Sequence, residues 1–155
     1  MPEHSKNANI ETPRGLEVAK YKEDVVHPNL SRLKECYRWL FGKGEALYNS
    51  DFMSLHYNET EKGWTETDPY LHYHKDAEEY YVSLEGSLTI QVDKNFIKVE
   101  PYQLLKVNPK VPRGVVRVEA PFRGFTIRVP LSVGDKVILK NRRLGHQTKM
   151  KNALK

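Results

Sequence analysis

Cysteine, long apolar runs and an apolar leader are scarce or lacking in this 155-residue chain, and each scarcity excludes a class of protein. Cys36 is the sole cysteine, so an intramolecular disulfide is excluded and the chain is not a disulfide-stapled domain. No stretch approaches the roughly 18 apolar residues that a membrane-spanning helix needs. Residues 1–15 are polar and lack the apolar segment of a secretory signal. We therefore expect a cytoplasmic protein that has no membrane partner.

Acidic residues are lacking from residues 136–155, a segment that contains seven lysines and arginines. The formal net charge of +5 for the whole chain is therefore concentrated at this end, and the preceding residues are slightly acidic. A basic segment can bind nucleic acid through phosphates, but this one has no aromatic residue that could stack on bases. We predict a solvated basic tail over residues 132–155 and do not expect nucleic acid as a partner.

The length and apolar content of the chain are enough for one domain with a hydrophobic core. The pattern of apolar residues divides this domain into three segments. Residues 1–45 are predicted to form an irregular arm followed by one amphipathic helix. Apolar residues from Leu30 to Phe41 recur there at the spacing of a helix face, and Gly42 and Gly44 would end the helix.

Residues 46–131 contain short runs of alternating polar and apolar residues, separated by turn residues such as those at 93–95. Several short strands at this spacing are typical of an all-β barrel or sandwich. Residues 58–69 are predicted to form a loop, in which the side chain of Trp64 would pack at the mouth of the barrel.

A His-x-His motif with a following glutamate and glycine is the strongest chemical signal in the sequence. His72 and His74 occupy alternate positions of a strand, so their side chains share one face. A turn through residues 75–77 would return the chain antiparallel and bring Glu79 beside both imidazoles, whereas Glu78 would face away. Two neutral nitrogens and one carboxylate form the facial set that holds Fe(II) or a similar divalent ion. The same spacing would also fit two exposed histidines on an ordinary strand.

The spacing of His72, His74, Glu79 and Gly86 resembles the first motif of the cupin superfamily. The resemblance implies an all-β, cupin-like jelly-roll β-barrel, with the two histidines and the glutamate as ligands of a divalent metal ion (Fe, Mn, Ni, Co or Zn). It also implies a small-molecule ligand and a homodimer. The activities that it implies are isomerisation or epimerisation of a sugar or sugar phosphate, or a dioxygenase reaction.

The second motif of the family differs here, because Arg113 occupies the position at which the resemblance would place a fourth ligand, a histidine. A guanidinium has no lone pair for a metal and stays charged. Three alternatives follow: Arg113 pairs with Glu79 and closes a metal-free pocket, it binds an anionic substrate while three ligands hold the metal, or it lies at the mouth and contacts only water. His56 is another candidate for the fourth ligand, although an ordinary buried histidine is the simpler interpretation.

Two functions therefore stay open. The first is a small-molecule cupin with a metal on its two histidines and one glutamate. The second is a metal-free binding or regulatory module that recognises a small anion through Arg113. Tyr81 and Trp64 are the aromatic residues that we expect to contact the ligand together with Arg113. Whether the chain is an enzyme also stays open.

Overall fold

Strands account for every regular element of the structure, a computed structural model that describes residues 37–44, 46–65, 70–131 and 133–143. The all-β prediction is therefore confirmed for these residues. Within them, no helix is long and apolar enough to cross a membrane. The strands are β1 (Tyr37–Gly42), β2 (Tyr48–Asn49), β3 (Ser54–Thr60), β4 (Trp64–Thr65), β5 (Tyr70–His74), β6 (Glu78–Val92), β7 (Asn95–Val99), β8 (Leu104–Val107), β9 (Arg113–Val129) and β10 (Lys136–Arg143).

Two long strands, β6 and β9, organise the sheet because each pairs with several partners. They are antiparallel to each other over most of their length. β6 pairs with β8 through its first half and with β7 through its second half. β9 pairs with β5 and β4 near its start and with β3 near its end. The main path runs β10-β5-β9-β3-β1-β2, and among the described strands this path does not close into a ring.

Gly86 marks the point at which β6 changes which of its residues face inward. Before it the buried residues are odd-numbered, from Glu79 to Ser83, and after it they include the even-numbered Leu88 and Ile90. The pairing with β9 is irregular at this point, as it is at a β-bulge. Gly86 has a φ of 69°, and a Cβ there would lie 2.2 Å from a carbonyl oxygen of β9. Only glycine fits such a position.

The two halves of β6 consequently carry different side chains on their inward faces. The half after Gly86 contributes Leu88 and Ile90 to an apolar core, whereas the half before it contributes Tyr81 to that core and also carries the buried carboxylate of Glu79. Burial of apolar side chains is the main favourable contribution to folding, so the apolar core is the part that stabilises the sheet. Its buried members are Tyr81, Leu88, Ile90, Val99, Val107, Val118 and Phe122.

The last part of the predicted helix is wrong, because Tyr37–Gly42 is strand β1 and pairs antiparallel with β3. Tyr37, Trp39 and Phe41 also alternate with a period of two, and aromatic residues favour strands. The partner strand β3 decides between the two periodicities. The remainder of the predicted arm and helix lies outside the described residues.

Two segments that the sequence analysis placed in a loop and a tail contain strands. Residues 58–60 continue β3, and Trp64–Thr65 pairs with β9, so the predicted loop at 58–69 is shorter than expected. Within the predicted basic tail, Lys136–Arg143 forms β10 and pairs with β5. The predicted boundary at residue 131 therefore leaves out one strand of the sheet. Residues 144–155 lie outside the described part.

Candidate metal centre

His72, His74 and Glu79 converge at the start of β6, as the sequence predicts. β5 carries both histidines on one face, and the turn after it returns the chain so that Glu79 lies beside them. All three side chains are buried, and one possible ligand atom from each lies within 4.8 Å of the others. Glu78 instead lies 2.7 Å from Lys106 Nζ on the other side of the strand. The register predicted for β6 is therefore confirmed.

Both imidazoles carry a buried nitrogen that has no hydrogen-bond partner among the described residues. These atoms are His72 Nδ1 and His74 Nε2. The second of them lies 3.8 Å from Glu79 Oε1, which is too far for a hydrogen bond. A buried polar atom without a partner costs about 1–3 kcal/mol. The arrangement therefore suits a species that accepts lone pairs, as a divalent metal ion does.

Burial keeps both imidazoles neutral. Loss of hydration on burial is the largest cause that lowers the pKa of His72 to about 3 and the pKa of His74 to about 4. A neutral imidazole offers a lone pair, whereas a protonated one has none for a metal. Both histidines are therefore in the form that binds metals at neutral pH.

Asp135, which the sequence analysis did not single out, orients His74. Its Oδ2 lies 3.2 Å from His74 Nδ1, so the negative charge favours the tautomer with the proton on Nδ1 and the lone pair on Nε2. Asp135 also accepts hydrogen bonds from the backbone N–H of Asp76 at 2.8 Å and of Ala77 at 3.3 Å. Burial raises the pKa of Asp135, but these backbone donors and His74 outweigh burial and hold that pKa below its usual value.

Arg113 is fully buried and forms an ion pair with Glu79. Its Nε donates to Glu79 Oε2 at 2.8 Å, and its Nη1 donates to the Val111 carbonyl oxygen at 2.9 Å. The Tyr81 hydroxyl donates to the same Oε2 at 2.8 Å. Two donors thus occupy Oε2, while Oε1 is the oxygen nearer to His74.

A one-residue bulge in β9 explains why Arg113 faces inward. The pairing passes from Arg117 to Val115 across two successive residues of β6, so Val116 is the extra residue. Beyond the bulge, Arg113 pairs with β5. The ion pair with Glu79 matches the first of the three alternatives for Arg113, in which it pairs with Glu79 and closes a metal-free pocket. The third alternative, an arginine that contacts only water, is wrong because the side chain is fully buried.

Glu79 stays ionised although it is buried. Burial raises its pKa, but the charges of Arg113 and Arg128 outweigh burial and lower the pKa of Glu79 to about 2. Arg128 is the strand partner of Glu79 on β9, so the two side chains project from the same face. An ionised carboxylate is the form that binds a metal.

The other candidate site residues, His56, Tyr81 and Trp64, lie outside the three-residue cluster. His56 is not part of the cluster in the described chain, and its Nε2 lies 3.1 Å from Ser54 Oγ. Tyr81 contacts Glu79 through its hydroxyl, and its predicted contact with a ligand stays a prediction. The backbone of Trp64 pairs with β9, and its side chain lies outside the described part.

A cleft of about 170 Å³ lies beside His74. It begins next to the cluster and is bordered by residues that precede and begin β10. Polar and apolar groups share its wall, so it can hold a molecule that has both. The lining residues are His74, Ala77, Arg128, Pro130, Leu131, Gly134, Asp135 and Lys136.

No family model matches the chain, and no curated protein is similar to it in sequence. Solved structures with a similar fold include Pac13 from Streptomyces, a nucleoside dehydratase that is 10% identical, with 62% of this chain and 73% of the other covered and a TM-score of 0.49. KdgF from a Halomonas species is 10% identical, with coverages of 63% and 79% and a TM-score of 0.49.

A cupin protein from Bacteroides fragilis also matches, at 24% identity, with coverages of 53% and 69% and a TM-score of 0.42. The matched structures thus include a cupin. At these identities and TM-scores, the likenesses concern the general arrangement of strands and say nothing about the chemistry of the cluster.

Proposed function

We propose that this chain is a small-molecule cupin in which His72, His74 and Glu79 hold a divalent metal ion. The observation that supports it is the pair of buried imidazole nitrogens, without partners in the described part of the chain, beside an ionised glutamate. Three protein ligands leave coordination positions open for a substrate. A bound ion would supply Lewis-acid or oxygen-activating chemistry at these positions.

The neighbours of the cluster prepare each ligand for this role. Arg113 and Tyr81 occupy one oxygen of Glu79 and leave the other toward His74. The Asp135 carboxylate lies 3.2 Å from His74 Nδ1 and favours the tautomer that carries the proton on this nitrogen. Such partners commonly change metal affinity by about 10–100-fold, so the surroundings contribute to the site as well as the ligands.

Arg113 also limits how tightly the metal binds. Two like unit charges about 4 Å apart cost about 4 kcal/mol at an effective dielectric constant of about 20. We therefore expect a weaker affinity than in a four-ligand site. Fe, Mn, Ni, Co and Zn all remain candidates. Isomerisation or epimerisation of a sugar or sugar phosphate, dioxygenation and a homodimeric state remain parts of the proposal.

A metal-free module that recognises a small anion is the second candidate function. The Arg113–Glu79 ion pair favours it, because the two charges compensate each other without a metal. Arg113 Nη2 is buried and has no hydrogen-bond partner among the described residues. It therefore has a donor to offer to an oxygen of a ligand.

Metal analysis of untagged protein purified without chelators separates the two functions. Wild-type protein should contain a divalent ion or bind one in a calorimetric titration, with an increase in melting temperature. His74→Ala should lose this binding, because the substitution removes a ligand. His56→Ala is the matched control, since it removes a histidine that lies outside the cluster and should leave metal binding unchanged.

Two results would contradict the metal site. One is folded wild-type protein that shows neither bound metal nor a thermal shift with Mn, Fe, Ni, Co or Zn. The other is equal metal affinity in His74→Ala and His56→Ala, which would place the metal elsewhere. The first result favours the metal-free module.

A further inference from the structure

The cleft and the cluster behind it have an excess of positive charge. Arg113, Arg128 and Lys136 supply three positive charges, and Glu79 and Asp135 supply two negative ones. The sum is one positive charge before any metal binds, and a divalent ion would raise it further. Like charges that are brought together in a partly buried site repel one another. A negatively charged ligand would relieve this repulsion.

Arg128 lines the cleft with a guanidinium whose hydrogen-bonding neighbours are a hydroxyl and an imidazole. Its Nη2 lies 3.3 Å from Ser54 Oγ and 3.4 Å from His56 Nε2, and neither group is a carboxylate. In the described ranges, no carboxylate oxygen lies within ion-pair distance of Arg128. By contrast, four other arginines each contact a carboxylate: Arg113, Arg117, Arg123 and Arg142. Arg128 is half-buried, and a partly buried charge is unfavourable unless it is paired.

The position of Arg128 places its guanidinium beside the candidate metal centre. The residue lines the same cleft as His74 and Asp135. It is also the strand partner of Glu79, so the two side chains project from the same face of the sheet. A molecule held by Arg128 would therefore lie next to the cluster.

We propose that the cleft binds a small molecule through an anionic oxygen group, a carboxylate or a phosphate, that is held by Arg128. A guanidinium presents paired N–H donors that match the oxygens of either group. Ala77, Pro130 and Leu131 supply an apolar wall for the carbon atoms of the ligand. The placement of the ligand beside a metal rests on the proposed function, whereas its contact with Arg128 does not.

The size of the cleft restricts the ligand further. A volume of about 170 Å³ is smaller than the roughly 300–1,000 Å³ of pockets that enclose drug-sized molecules. The ligand is therefore a compact anion of a few carbon atoms. A larger anion would have part of its structure outside the cleft.

Anion titrations of metal-free protein test the contact with Arg128 alone. Inorganic phosphate and sodium acetate are titrated separately, and binding is followed by the ¹⁵N-detected shift of the arginine side chains. Wild-type protein should bind at least one of the two anions. Arg128→Gln should weaken that binding about tenfold or more, as expected for the loss of a charge-assisted contact.

Arg117→Gln is the matched control, because Arg117 lies on the same strand, is exposed and pairs with Glu119 on the outer face. It should bind the anion as wild-type protein does. Arg128→Lys keeps the positive charge but loses the paired N–H donors of the guanidinium, so we expect an anion affinity between those of wild-type protein and Arg128→Gln. This second variant keeps the test valid if Arg128→Gln does not fold. Equal affinities in all four proteins, or no binding of either anion, would overturn the inference.

The same titration with metal present separates this inference from the proposed function. A bound divalent ion should raise the anion affinity in wild-type protein and in Arg117→Gln. If metal binds but Arg128→Gln has no effect on the anion, the role of Arg128 is wrong and the metal site stands. If Arg128 holds the anion and no metal binds, the metal site is wrong and the anion site stands. A preference for phosphate or for acetate identifies the chemical class.

Discussion

The two halves of strand β6 differ in the chemistry of their inward faces although they belong to one strand and both pair with β9. Before Gly86, the inward face carries Glu79 in an ion pair with Arg113. After Gly86, the inward face carries Leu88 and Ile90 in an apolar core. Apolar contacts are non-directional, whereas each buried charge needs a specific partner. Substitutions in the apolar half should therefore lower the free energy of unfolding in small steps. Substitutions that remove one partner of the buried ion pair should lower it in one large step.

The largest effect is expected from removal of the positive charge of the ion pair. Arg113→Met leaves the buried Glu79 carboxylate without its partner and should reduce the free energy of unfolding by about 3–5 kcal/mol. The double variant Arg113→Met/Glu79→Leu removes both charges and should recover most of this loss. Chemical denaturation of the three proteins measures the difference. A double variant that is no more stable than Arg113→Met would show that the loss does not come from the unpaired charge.

Acid should weaken the polar half of the metal-free protein. His72 and His74 have an ordinary pKa of 6.5, but in the folded chain the pKa values are about 3 and about 4. Between these values the unfolded chain binds more protons than the folded chain, so the free energy of unfolding decreases as pH falls from about 7 to about 4. Glu79, whose pKa is lowered, adds to the loss below its ordinary pKa of 4.5.

Urea denaturation at pH 7, 6 and 5 measures this dependence, for which we expect a loss of about 2 kcal/mol or more by pH 5. The variant His72→Asn/His74→Asn lacks both titrating groups and should show a flatter dependence on pH. The same slope in the variant and in wild-type protein would mean that other groups cause the acid sensitivity.

A smaller and more specific effect is expected at Asp135. Asp135→Asn replaces the carboxylate that lies 3.2 Å from His74 Nδ1 and should lower metal affinity by about 10–100-fold. The population of the Nδ1-protonated form of His74, read from ¹⁵N shifts, should fall as well. Asp76→Asn changes an exposed side chain in the same turn and serves as the matched control. If both variants bind metal equally, Asp135 does not orient His74.

The smallest effect is expected in the apolar half. Ile90→Val removes one methyl group from a fully buried side chain and should cost about 0.5–1.5 kcal/mol, with metal and anion binding unchanged. Ile138→Val makes the same change on an exposed side chain and should cost close to nothing. A loss of metal binding in Ile90→Val would mean that the two halves are not separable.

Strand alternation was sufficient to predict the three-residue cluster. The His-x-His spacing and one turn place His72, His74 and Glu79 together, because these positions are close along the chain and share one face. The inward position of Arg113 depends on the bulge at Val116, which shifts the alternation by one residue and has no mark in the sequence. The ion pair could therefore be predicted only as one of several alternatives.

Other parts of the molecule depend on contacts between distant segments. Asp135 reaches His74 only because β10 pairs with β5, and no local motif indicates that pairing. β1 was predicted as a helix because its apolar residues fit both periods, and the choice is made by pairing with β3. In each case the structure of the segment depends on a partner strand that is distant in sequence. A local sequence pattern contains no information about that partner.

The change of parity at Gly86 also determines where the chain tolerates changes of length. Glu79 and Ile90 both face inward only because an irregular pairing at residues 83–87 shifts the alternation of side chains along β6. Adding or removing a single residue there would turn either Glu79 or Ile90 toward solvent. Insertions of two residues would preserve both faces. In related chains, the length of this segment should therefore differ by an even number of residues.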